Sequence, residues 1–225
     1  MEPHMTQPLQ IGFLLFPGLT QLDLTGPAQV LSRTSHSQTH FVAKTLEPVP
    51  SDCGLSLMPT KTFEDCPPLD LVCIPGGVGV SVPMRDEPTM AWLRAQGERA
   101  QYVTSVCTGS WIYGRMGLLD GIPATNRKEP DRVEASHLGK LPIDRLAEIA
   151  PACRISHARV VDAGRIVTAG GIASGMELGF HLLRRAGYDE GFIRDVARCM
   201  EYSAAYDTYA HDIEYAPNPV PCFAH

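Results

Sequence analysis

Two side chains in this sequence have the type and setting to make and break bonds together. Cys107 stands in "YVTSVCTGSWIYGRMGLLDG" (102–121), where the β-branched run Tyr102–Val106 meets a predicted helix, Thr108 to Leu119, ended by Gly121. A side chain at so tight a strand-to-helix turn stands above the sheet edge, as the serine of a nucleophile elbow does. Helix N–H groups behind it favour a thiolate, so its pKa is expected to fall below the free value of about 8.5. Gly109 leaves the approach uncrowded, and a turn N–H could hold the charge that develops after attack. The competing reading is packing, since a cysteine after an apolar strand is often a buried hydrophobe.

Asp23, in "QLDLTGP" between two leucines, follows the first apolar run. Partial burial would raise its pKa and let it move protons near neutrality. Its structural alternative is an N-cap or Asx turn. Gly76 and Gly77 in "IPGGVG" can turn backbone N–H groups towards an anion. They lack the third glycine of a dinucleotide fingerprint and the Gly-Lys-Ser/Thr of a phosphate loop. Eight histidines show no metal spacing: there is no H-E-x-x-H, and His137 and His157 are far apart in polar sequence, so no metal site is expected. His181, beside Phe180 in a helical stretch, reads as a core residue. Arg127 and Lys128 read as solvated surface charges.

These residues need a scaffold, and the sequence outlines one. "IGFLLF" (Ile11–Phe16) is a continuous apolar run, the mark of a strand covered on both faces, broken by Pro17-Gly18. "DLTGPAQVLSRTS" predicts a turn and a helix with Pro27 near its first turn. His40–Leu46 and Asp70–Gly77 predict strands, and Glu87–Arg99 a helix with Met90, Leu93 and Gly97 on one side. The stretch from Lys128 to Leu141 reads as loop or short helix, and Ile143–Ala150 as helix. Ala158–Gly171 reads as two strands around an Asp162–Gly164 turn. Met176, Gly179, Phe180 and Leu183 define another helix face, and a last helix is predicted from Glu190 to Tyr209 before a Pro-rich tail. Repeated strand–helix units without internal repeats predict an α/β fold with a mainly parallel sheet. Chemistry then gathers beyond the carboxyl ends of the strands. Asp23, Gly76-Gly77, Cys107 and Gly170-Gly171 all fall at such ends.

Composition narrows the partners. The formal net charge is −6, from 19 basic and 25 acidic residues, and the basic residues are scattered, so nucleic acid is not an expected partner. With 44% hydrophobic and 20% charged residues the chain is neither disordered nor a membrane protein. "MEPHMTQPLQ" has no signal-peptide pattern, and residues 1–8 read as a disordered or cloning-derived start. The seven cysteines form no C-x-x-C and read as reduced thiols, pointing to the cytoplasm; Cys73, inside an apolar run, reads as core.

With these residues assembled, the chain resembles the ThiJ/PfpI superfamily, and most of all its isocyanide (isonitrile) hydratase branch. "IGFLLFPGLTQLDLTGPAQVL", "FEDCPPLDLVCIPGGVGV", "YVTSVCTGSWIYGRMGLLDG" and "RIVTAGGIASGMELGFHL" carry the resemblance in that order, over residues 9–202. It implies a flavodoxin-like three-layer α/β sandwich and a homodimer, with 203–225 an extension packing on the domain or on a partner subunit. Cys107 would be the nucleophile and Asp23 the acid/base. Thr108 would orient Asp23 or a water. Thr108 and the Gly77 backbone, beside Gly76, would lie around the developing charge or the substrate, and Gly170-Gly171 would line the pocket for a small electrophile. No cofactor is implied. The chain departs at "ATNRK" (124–128), where relatives often carry "ATTHW". Three activities follow as expectations: hydration of an isocyanide to an N-substituted formamide, the same chemistry on another electrophile such as an α-oxoaldehyde, or a cysteine redox sensor. A regulator version is disfavoured because no helix-turn-helix is attached.

Overall fold

The computed structural model describes residues 8–129 and 140–222. Its frame is an eight-stranded sheet. In chain order the strands are β1 (Leu9–Leu14), β2 (Ser37–Ala43), β3 (Lys61–Thr62), β4 (Leu71–Ile74), β5 (Tyr102–Val106), β6 (Val160–Gly164), β7 (Ile166–Ala169) and β8 (Ile213–Val220). The spatial order is β8-β6-β7-β5-β4-β1-β2-β3. Every neighbouring pair is parallel except the β6–β7 hairpin. The central strands β4, β5, β6 and β7 are buried along their whole length, as strands covered on both faces must be. The helices are α1 (Gln21–Leu31), α2 (Glu87–Gly97), α3 (Ser110–Arg115), α4 (Pro142–Ile149), α5 (Ser174–Arg185), α6 (Glu190–Cys199) and α7 (Ser203–Tyr209). α1 packs along α5, and α3 against α4. The whole is a flavodoxin-like three-layer α/β sandwich.

The predicted elements are present with shifted ends. α1 begins at Gln21 rather than Asp23, so Pro27 falls inside the helix and not in its first turn. The hairpin turns one residue later than expected, at Gly164-Arg165, with Ala163 paired to Ile166. The helix expected after Cys107 is a 3-10 turn, Cys107–Gly109, followed by the six-residue α3. The helix predicted over 190–209 is two helices, α6 and α7, parted at Glu201, which takes a left-handed φ of 52°. The Pro-rich tail forms β8, the sheet's edge strand, where proline's missing donor faces no neighbour. Most of the polar stretch 128–141, with His137, lies outside the described residues.

This strand order fixes where the site must be. The chain leaves β1 towards β2 on one side and leaves β4 towards β5 on the other. The crevice between the ends of β1 and β4 is therefore a topological switch point. Among the described residues no helix is long and apolar enough to cross a membrane.

Candidate active site

Register brings the expected residues together. Val106, the last residue of β5, pairs with Ala169, the last of β7, so Cys107 and Gly170 emerge side by side. The Cys107 N–H then donates to the Gly170 carbonyl at 3.1 Å. At this point the backbone of Cys107 turns left-handed, with φ 55°, a conformation that side-chain-bearing residues avoid. The turn lifts the thiol off the sheet and towards the switch-point crevice.

From β1 the chain runs into α1, whose N-cap is Thr20. Asp23 lies inside the first turn and is not the cap, so the structural alternative for this residue is not realised. Its side chain points instead to the neighbouring strand end, where Oδ2 accepts the Gly76 N–H at 3.0 Å. Asp23 is fully buried, and its other oxygen, Oδ1, has no nitrogen or oxygen partner among the described residues. The thiol of Cys107 stands close enough to this carboxyl that each group shifts the other's acidity.

The Pro-Gly-Gly turn acts through its backbone. A Cβ at Gly76 would sit 2.5 Å from the Thr108 nitrogen and 2.8 Å from the Cys107 Cβ, so only glycine allows this approach. The Gly77 N–H donates to Thr108 Oγ1 at 3.0 Å. Both amides expected to form an anion nest are thus occupied, one by the Asp23 carboxylate and the other by Thr108. The Thr108 hydroxyl is correspondingly turned to Gly77 and makes no hydrogen bond to Asp23; it is the Thr108 N–H that faces the sulfur. Gly171 closes the site: a Cβ there would lie 2.9 Å from Cys107 Sγ. Gly170 gives its carbonyl to Cys107 and its N–H to the Arg159 carbonyl.

Electrostatics correct one expectation. Burial pushes the Asp23 carboxyl up to about 7, against the Gly76 N–H, the Cys107 thiol and the Arg127 charge, while Asp52 adds to the rise. Cys107 is 1% exposed. Burial first, and the Asp23 charge second, hold its thiol well above the ordinary range, not below it as the helix argument predicts. The short 3-10 turn offers the sulfur one N–H, from Thr108, and that and Arg127 do not offset desolvation. Near pH 7 the sulfur therefore keeps its proton, and the adjacent carboxylate is the group able to take it.

Sequence reasoning missed the segment 124–128. Arg127, read as a surface charge, is buried at 8% exposure, and the Asn126 side chain beside it is fully buried. Asn126 Oδ1 accepts the Arg127 N–H at 2.5 Å, and Nδ2 donates to Ser110 Oγ at 2.8 Å. Ser110 Oγ in turn donates to the Cys107 carbonyl at 3.3 Å. Lys128 is also partly buried, with Nζ 2.7 Å from the Ala158 carbonyl; burial pulls its pKa down to about 8. Their departure from the expected histidine pattern was the available signal. Cys73 and His181 are core residues as expected, His181 meeting Asp162 at 2.7 Å. No group of three or more metal-ligating side chains occurs among the described residues.

A mainly parallel sheet with a left-handed cysteine at the end of a central strand, facing a buried carboxyl, defines the class of protein. The DJ-1/PfpI family model matches residues 10–185, and the chain belongs to that family. Among its relatives, the isonitrile hydratase of Pseudomonas putida is 42% identical over 213 residues, covering 94% of this chain and 86% of that protein. The HTH-type transcriptional regulator GbdR of Pseudomonas aeruginosa is 28% identical over 191 residues, and the match spans only 48% of its length. In structure the chain is similar to a ThiJ/PfpI family protein from Pseudomonas syringae. That likeness has a TM-score of 0.77 at 27% identity and covers 94% of this chain and 95% of the other.

Proposed function

We propose that this chain is a cysteine-dependent hydratase that converts an isocyanide to an N-substituted formamide without a cofactor. The observation that carries the reading is the buried Cys107–Asp23 pair at the strand-end elbow, and the similarity to an isonitrile hydratase supports it. Asp23 accepts the thiol proton as sulfur attacks the terminal carbon of R–N≡C, then delivers that proton to the same carbon. The product is a thioimidate, Cys–S–CH=N–R. Asp23 next takes a proton from water, whose hydroxide adds to the carbon, and passes that proton to nitrogen. Collapse of this adduct expels the thiol and frees HC(O)–NH–R. The net change is addition of one water, with no electron left over.

A narrow, linear head group suits a sulfur that lies beneath Gly171 and is nearly closed off. A second reading keeps the scaffold and changes the electrophile to an α-oxoaldehyde or a specialised metabolite. It draws on Arg127, since a buried guanidinium could polarise a carbonyl oxygen, an atom an isocyanide lacks. A redox sensor is least favoured, because peroxide selects accessible, acidic thiols. The same reading places the protein in the cytoplasm, in keeping with its seven free cysteines, as a homodimer.

The test supplies a simple aryl or alkyl isocyanide to the wild type, Cys107→Ser and Asp23→Asn and measures formamide. Wild-type kcat/KM is expected to fall as pH drops through about 7, where Asp23 gains its proton. Undiminished formamide from either variant rules the mechanism out. Turnover of methylglyoxal with none of isocyanides favours the second reading.

A further inference from the structure

Arg127 has no role in the hydratase steps above, yet its placement is specific. Its Cβ and the Cys107 sulfur lie on the same glycine: a Cβ at Gly171 would be 3.2 Å from the first and 2.9 Å from the second. Its backbone is held by Asn126, whose amide reaches through Ser110 to the carbonyl of Cys107 itself. The segment bearing the guanidinium and the residue bearing the sulfur are thus tied into one hydrogen-bonded unit. Burying a guanidinium here puts a cation into a closed site.

We infer that Arg127 is a positioning residue of this site: its guanidinium is the fixed counter-charge against which Cys107 and Asp23 exchange their proton, and Asn126 sets it in place. In that exchange the S–H bond breaks, an O–H bond forms, and one negative charge moves from carboxylate to sulfur. A cation that acts on both ends favours the ionised pair throughout the transfer. The remaining ionisable groups near the pair do not supply this. Asp52, held by Thr20 Oγ1 at 2.5 Å, is an anion that opposes ionisation of Asp23, and Cys73 on β4 is a buried thiol. Lys128 lies against Gly170 but gives its ammonium to the Ala158 carbonyl and interacts with Asp212 and Arg159, and it is not among the charges that act on Asp23 or Cys107.

The inference rests on the proposed function only in taking Cys107 and Asp23 as the reacting pair, and its test avoids isocyanide. Iodoacetamide alkylates Cys107 by forming a C–S bond and expelling iodide, and peptide-resolved mass spectrometry follows this site among the seven cysteines. The rate is measured against pH for the wild type, Arg127→Gln and Arg127→Lys. The Gln variant should show its midpoint raised by on the order of one pH unit, hence about tenfold slower alkylation near neutrality, with the curves meeting in alkali. The Lys variant, which restores the charge, should stay within about threefold of wild type. An unchanged midpoint in the Gln variant overturns the inference. So does an equal loss at every pH, which would mark a purely structural role, or a Lys variant as impaired as the Gln one. Circular dichroism checks folding, and Arg127→Met stands in should the Gln variant misfold. An Arg127-dependent midpoint without any formamide production would refute the hydratase reading alone, and formamide production without that dependence would refute this inference alone.

Discussion

The buried carboxyl of Asp23 makes a prediction about stability that is independent of any substrate. Its pKa rises from 3.8 to about 7 on folding. The native state therefore holds this proton more tightly than the unfolded chain does. Its contribution is most favourable below pH 3.8, is lost progressively as pH rises through the interval to about 7, and is constant above that. The full loss is about 4 kcal/mol, at roughly 1.4 kcal/mol for each tenfold change in proton affinity. Asp23→Asn removes this dependence while keeping an acceptor for the Gly76 N–H. The new amide N–H2 would replace Oδ1, which has no oxygen or nitrogen neighbour to receive it, at a cost of about 1–3 kcal/mol.

At pH about 8.5 the variant should thus be more stable than the wild type by roughly 1–3 kcal/mol while losing formamide production. Between about pH 5 and pH 8.5 the difference in unfolding free energy should grow by about 2.5 kcal/mol in favour of the variant. Urea denaturation of both proteins under reducing conditions measures this directly. Groups that do not sense this carboxyl cancel. Burial, the largest cause of the raised Cys107 pKa, keeps that thiol protonated in both native proteins over this range, so the growth reports Asp23. A difference flat with pH, or one that shrinks as pH rises, would falsify the assignment of a buried, destabilising carboxyl.

Three further outcomes follow from the same geometry. Cys107→Ala should lower formamide production by on the order of a thousandfold or more, as loss of a nucleophile does, read by chromatographic quantification of product. Gly171→Ala, which places a methyl group 2.9 Å from Sγ, should slow both isocyanide turnover and iodoacetamide alkylation of Cys107 by about tenfold or more without unfolding the protein; equal alkylation rates would show that the glycine does not guard the sulfur. Phe180→Ala, at a fully buried ring stacked on Tyr202 and edge-on to Tyr206, should destabilise by about 3–5 kcal/mol and expose α7 to limited proteolysis.

What could be read in the sequence, and what could not, follows from how each residue is held. Cys107 and the glycine pairs were legible because each follows directly on a continuous apolar strand, and Asp23 because it lies in the first turn of the helix after one; a parallel sheet gathers such strand ends at one rim. The pairing of Val106 with Ala169 then made the meeting of Cys107 and Gly170 a matter of register. That the Thr108 hydroxyl turns to Gly77 and not to Asp23 was not legible, because this partner is 31 positions away and no local pattern reveals it. Arg127 was misread because arginine is usually solvated; here it packs against Gly171, and the Asn126–Ser110 contact carries its segment inside. The break between α6 and α7 was hidden for a different reason. Glu201 adopts a left-handed φ without the glycine or proline that normally announces such a turn.

The acidity of Cys107 was the largest error, and its correction bears on the chemistry. An acidic thiolate would attack an electrophilic carbon but bring no proton with it. Addition to an isocyanide requires both at once, since the terminal carbon must gain sulfur and hydrogen to become a thioimidate. A thiol that keeps its proton, against a carboxyl with a pKa of about 7, holds both reactants for that addition in a single pair of side chains. Desolvation, which raises both pKa values, also denies the proton to bulk water until the substrate carbon is in place. Under the proposed mechanism, the closed site would let these two residues hydrate a carbon without a metal or organic cofactor. Any substitution that admits water to the sulfur, and so lowers its pKa, should make Cys107 more reactive to iodoacetamide and less productive on isocyanide.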